Sequence, residues 1–164
     1  MATIVMTVFG LGMLGAILSD IRSMTIPNWL CLSLVAAFAV SALLAGLAPA
    51  AIGVHLLTGL VVLLITVGLF ALGWMGGGDA KLIAATALWF GPSVDLANYV
   101  LLASVLGGVL TLLLVTARAI RRPTTGLVFV DRLLSPASGI PYGVALGSAG
   151  IAVFFQSGWM STLS

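Results

Sequence analysis

Six apolar runs, at about 2–19, 28–46, 52–73, 79–91, 94–117 and 139–157, follow one another along the chain with short polar or turn-forming segments between them. A bilayer span needs roughly 20 mostly apolar residues to cross about 30 Å of hydrocarbon. The pattern therefore predicts an all-α, polytopic membrane protein, a bundle of about six transmembrane helices. The breaks have chemical causes: Pro27, Pro49, the glycines 76–78, Gly91-Pro92, and the stretch from Arg121-Arg122-Pro123 through Pro136 all disfavour helix continuation. The fourth run is short. The first has no basic residue ahead of it and no clear small-residue cleavage site, so it is expected to stay as a span rather than be removed as a signal peptide. No internal repeat or low-complexity tract is visible.

Composition sharpens the class. Hydrophobic residues make up 62% of the 164 and charged residues 6%, with a mean hydropathy of +1.30, whereas soluble domains carry about 25% charged residues. A single membrane domain over residues 1–164 is expected, with the lipid bilayer as its surroundings. Cys31 is the lone cysteine, which excludes an internal disulfide and a four-cysteine zinc site. No metal or cofactor is expected, and a chain without a soluble basic surface is no candidate for nucleic-acid binding.

If the six segments alternate in direction, the turns after the first, third and fifth face one side. All six basic residues, Arg22, Lys81, Arg118, Arg121, Arg122 and Arg132, fall there. The positive-inside rule makes that side cytoplasmic and puts both termini outside. Trp29 and Trp74 lie near the cytoplasmic segment ends and Trp89 and Trp159 near the opposite ends, as two interfacial belts would place them.

The same topology sorts the four acids. Asp20 closes the first segment and Asp79 opens the fourth, at one membrane depth; Asp131 lies in the last cytoplasmic loop, and Asp95 is alone outside. Asp131, next to Arg132, reads as a solvated or paired loop charge, and Asp95 as a cap of the fifth helix. Asp20 and Asp79 differ, since each lies at a helix end with a cation two positions on, Arg22 or Lys81. Acids in or near a membrane are costly and functional by default. Two carboxylates within a few ångströms in a poorly hydrated site cannot both ionise easily, so the pair shares a proton and titrates as a unit. One member can then draw a proton from water while the other polarises a scissile carbonyl.

Gly76, Gly77 and Gly78 stand directly before Asp79. They permit positive φ and present no side chains, so a substrate backbone could come close to Asp79; the plainer alternative is a tight turn. Arg22 and Lys81 could orient the carboxylates or touch a substrate, or merely retain the topology. Asn28 and Tyr142 could supply hydrogen bonds near the site or act as interface anchors. His55 lies toward the outer side and reads as a packing residue. Gly143 with Gly147, and Ala103 with Gly107, form small-residue faces for close helix packing.

Three motifs resemble the type IV prepilin peptidases. Gly76-Gly77-Gly78-Asp79, followed by Ala80-Lys81, matches that family's GxGD signature. The run from Asp20 to Ile26-Pro27-Asn28 looks like its first aspartate and following Ile-Pro-Asn, and Ile140-Pro141-Tyr142-Gly143 opens the last span. Presenilin-type proteases share GxGD, but their other aspartate lies between tyrosines, unlike Asp20. The resemblance implies an aspartic endopeptidase that removes the leader of prepilins or pseudopilins at the cytoplasmic face of a bacterial inner membrane, with Asp20 and Asp79 catalytic and no cofactor. Larger members carry a four-cysteine zinc insertion and methylate the new N-terminus. This chain shows neither the insertion nor the cysteines, so methyl transfer is not expected, and the compact form is similar to the peptidases of tight-adherence (Flp) pilus systems. The competing expectation is a small proton- or cation-coupled carrier using the same Asp pair. Carriers usually hold such residues near the midplane and show related halves, and this chain shows neither. A catalytically idle scaffold is the third reading.

Overall fold

The computed structural model describes residues 2–120, 126–135, 137–157 and 159. Among these there are seven helices: α1 Ala2–Ser23, α2 Asn28–Leu44, α3 Pro49–Ala71, α4 Gly77–Phe90, α5 Val94–Ile120, α6 Val128–Leu134 and α7 Tyr142–Phe154. The protein is an all-α polytopic membrane protein. α1, α3 and α5 are long and apolar enough to cross a bilayer, and α2 and α7 are shorter apolar helices. Six of the seven correspond to the apolar runs. The seventh, α6, stands where a loop was expected; its apolar residues are interrupted by Asp131-Arg132 and none of them is buried. Arg121, Arg122, Pro123 and Pro136 lie outside the described residues.

α4 is the axis of the bundle. Ala80, Leu82 and every residue from Ala84 to Phe90 are buried, under α2, α3 and α7. Its 14 residues rise only about 21 Å at 1.5 Å per residue, less than the hydrocarbon thickness. Its last residues, Ala87 to Phe90, are buried by the protein, so their carbonyls need protein donors. Three are supplied. Gly91, at φ +59, donates its N–H to the Ala87 oxygen at 2.9 Å. His55 Nδ1 lies 2.6 Å from the Leu88 oxygen, and Trp159 Nε1 donates to the Trp89 oxygen. His55, expected only to pack, thus also closes the end of α4 while stacking on Phe38 at 5.4 Å.

Aromatic rings fill the same half of the bundle. Phe9 stacks on Phe154 at 4.0 Å and meets Trp89 edge-on at 5.1 Å, and Phe38 meets Trp89 at 5.8 Å. This corrects the reading of Trp89 and Trp159 as belt residues. They are 0% and 8% exposed, because the indole donors are used inside the bundle, Trp89 Nε1 on the Leu34 oxygen at 3.2 Å. Trp29 and Trp74 are exposed as expected, at 69% and 76%.

Small residues set the remaining spacings. A Cβ on Gly147 would stand 2.6 Å from Ile17 of α1, one on Gly107 would stand 3.0 Å from Tyr142, and one on Gly59 would stand 2.6 Å from Leu88. The small-residue faces on α5 and α7 therefore serve close packing within one chain, α7 lying between α1 and α5.

Candidate active site

One end of the bundle gathers the ends of α1, α3 and α5 with the starts of α2, α4 and α7. α1 runs one turn further than its apolar run suggests, to Ser23, so Asp20 sits inside the last helical turn and is only 5% exposed. Met24 follows at φ +54 and donates its N–H to the Asp20 oxygen at 2.8 Å, the left-handed arrangement that commonly stops a helix. Ser19 Oγ then donates to the Thr25 oxygen at 2.8 Å, and Ser23 Oγ pairs with Thr25 Oγ1 at the same distance. These bonds fold residues 24–27 back over the helix end.

The Asp20 carboxylate is held by another helix. Gly143, the second residue of α7, donates its N–H to Asp20 Oδ2 at 2.6 Å; this is one of the N-terminal donors that a helix cannot satisfy by itself. Only glycine fits there. A Cβ on residue 143 would lie 2.8 Å from Asp20 Oδ2 and 2.9 Å from Asp20 Cβ.

Asp79 is the third residue of α4, and its carboxylate turns back to the backbone N–H of Gly76 at the cap position, half of a capping box. The three glycines before it are used for room. A Cβ on Gly76 would stand 2.8 Å from Asp79 Oδ2, one on Gly77 3.3 Å from Phe70, and one on Gly78 3.2 Å from the Ile26 backbone nitrogen. The last contact brings the α1–α2 connection against the start of α4. Positive φ, which these three permit, is found instead at Gly73, where the chain leaves α3.

Asp20 and Asp79 line a single cavity of about 690 Å³, with Thr25, Ile26, the glycines 76–78, Gly139 and Tyr142 in its wall. The structure thus brings together both aspartates, the three glycines and Tyr142. It separates the other three candidates from them. Lys81 Nζ donates to Asn28 Oδ1 at 2.8 Å, and the two line a different groove, between α2 and α3. Lys81 is two residues from Asp79, and a helix turns about 200° in two steps, so the two side chains leave α4 on opposite faces. Arg22 is exposed, and its carbonyl accepts a hydrogen bond from Arg132 Nη1 at 2.5 Å.

A different basic residue, Arg118, borders the aspartates. It lines the cavity, donating from Nε to the Leu133 oxygen and from Nη2 to the Gly139 oxygen, each at 2.8 Å. One guanidinium therefore ties α5 to α6 and to the strand of chain that leads into Gly143. Its position in a basic cluster suggested only a topology signal; the two carbonyls it meets are 15 and 21 residues away. Tyr142 is also anchored, its hydroxyl 3.0 Å from Thr111 Oγ1.

The other acids stand elsewhere. Asp95 lies in the first turn of α5 rather than at its cap, because the helix starts at Val94; there it favours the helix dipole. Asp131 belongs to α6 rather than to a loop, and its Oδ2 accepts from the Gly126 N–H at 3.2 Å. Among the described residues no group of His, Cys, Asp and Glu is arranged to hold a metal ion.

Residues 7–112 match the model of the Type IV leader peptidase family, a stretch that covers more than half of the chain and holds both aspartates. No curated protein and no solved structure matches the chain.

Proposed function

The chain belongs to the type IV leader peptidase family, and from that premise we propose that it cleaves the leader from prepilins or pseudopilins with an Asp20/Asp79 dyad. The observation that carries this reading is the common cavity: the two carboxylates reach it from helices α1 and α4, beside a wall of glycines. One carboxylate, ionised, takes a proton from the attacking water. The other, protonated, gives its proton to the scissile carbonyl oxygen; as the tetrahedral intermediate collapses, the first passes the water's proton to the leaving amine and the second takes its own back from the hydroxyl. The glycine wall admits an extended backbone with no side chain in its way, and Tyr142 in the same wall offers a hydroxyl to it.

The cavity opens at the basic end of the bundle. Arg22, Lys81, Arg118 and Arg132 all belong to this end, which supports a cytoplasmic active site in a bacterial inner membrane. The Asp20-Ile21-Arg22 motif favours an Flp-type pilin as substrate. Co-expression with candidate pilin precursors tests the reading, leader removal being followed by gel mobility and N-terminal sequencing. Wild type is expected to cleave, and Asp20→Asn and Asp79→Asn each to abolish cleavage. Cleavage that survives either substitution sinks the dyad.

A further inference from the structure

Between α3 and α5 the wall of the bundle is open. α3 packs on α4, and α5 packs on α7, but α3 and α5 are not a packed pair. The gap holds a cleft of about 490 Å³, with Ile65 and Leu69 on one side, Val100 and Ser104 on the other, and Asp79 at one end. Ile65 and Val100 are 58% and 49% exposed, so both walls face the bilayer with no helix among the described residues covering them. Trp74, Met75, Asp79 and Tyr142 line this cleft and the aspartate cavity alike. A path thus leads from the hydrocarbon to a carboxylate of the dyad.

We propose that this cleft is the docking groove for the apolar helix of the substrate, which reaches the enzyme sideways through the bilayer between α3 and α5 and leaves its scissile junction at Asp79. The proposal rests on the peptidase reading above. A segment crossing hydrocarbon must satisfy its own backbone, so an apolar partner arriving there is a helix. Continuity with the dyad selects this groove: the other lateral groove, between α2 and α3, is lined by Asn28 and Lys81 and by neither aspartate. A lipid chain would also wet the cleft, but it has no bond for Asp79 to act on.

The test uses the full-length enzyme in membranes with a complete precursor. In a Cys31→Ala background, Ser104→Cys is expected to crosslink to a cysteine in the precursor's apolar helix, and Leu32→Cys, in the other groove, is not. Ser104→Trp is expected to slow precursor cleavage about a hundredfold, and Leu32→Trp to leave it at the wild-type rate. A soluble peptide carrying only the leader junction separates a blocked groove from a damaged centre, since its cleavage should fall far less. A crosslink at 32 and none at 104, or precursor cleavage by Ser104→Trp at the wild-type rate, overturns the groove while the peptidase stands. Absence of precursor cleavage by wild type overturns the peptidase reading itself. If Ser104→Trp does not accumulate, the crosslink at 104 decides.

Discussion

Asp20 and Gly143 form a unit at the residue scale. The N–H of Gly143 fixes one carboxylate oxygen at 2.6 Å, and a methyl group on that residue would stand inside van der Waals contact of the same oxygen. Gly143→Ala is therefore expected to displace Asp20 by a few tenths of an ångström to an ångström and to slow leader cleavage about a hundredfold, with the protein still accumulating in the membrane. Comparing cleavage rates at matched enzyme levels checks this. Lys81→Ala is expected to have little effect on the rate, because that side chain bonds Asn28 in another groove. A loss as large as that of Asp79→Asn would place it back in the site. The aspartates were legible in the sequence because a carboxylate in so apolar a chain stands out. Gly143 was legible as a packing residue only, since its hydrogen bond spans 123 positions.

At the scale of elements, α4 depends on donors from elsewhere. His55 closes one of its buried carbonyls, so His55→Leu leaves that oxygen unpaired at a cost of about 1–3 kcal/mol. Thermal unfolding in detergent should show the loss as a lower midpoint, while cleavage at low temperature persists because His55 is not in the wall of the aspartate cavity. Arg118 has the opposite profile. Arg118→Met removes the bonds to Leu133 and Gly139, loosens the approach to Gly143, and is expected to lower cleavage more than it lowers stability. Measuring both quantities on the two variants distinguishes an element that holds the bundle together from one that positions the dyad. The first four breaks between helices were legible because proline and glycine interrupt helices locally; the fifth lies partly outside the described residues. α6 was not, being only 7 residues long, interrupted by Asp131 and Arg132, and without a buried face.

For the whole molecule, topology is the quantity to test. In a Cys31→Ala background, Thr25→Cys, in the wall of the aspartate cavity, is expected to resist a membrane-impermeant thiol reagent on intact cells. Ser93→Cys, at the other end of the bundle between α4 and α5, is expected to react. Labelling of position 25 from outside would overturn the cytoplasmic site. The sequence by itself determined the membrane class, the approximate limits of six of the helices, and the two carboxylates, because hydropathy, helix breakers and rare charges are local properties of the chain. Only the tertiary structure decided which side chains face those carboxylates. Helix rotation turned Lys81 away and brought Arg118 in, close packing turned two expected belt tryptophans into core, and the spacing of α3 and α5 left a cleft. Each of these depends on the rotation and separation of helices remote in sequence, which no short run of residues encodes.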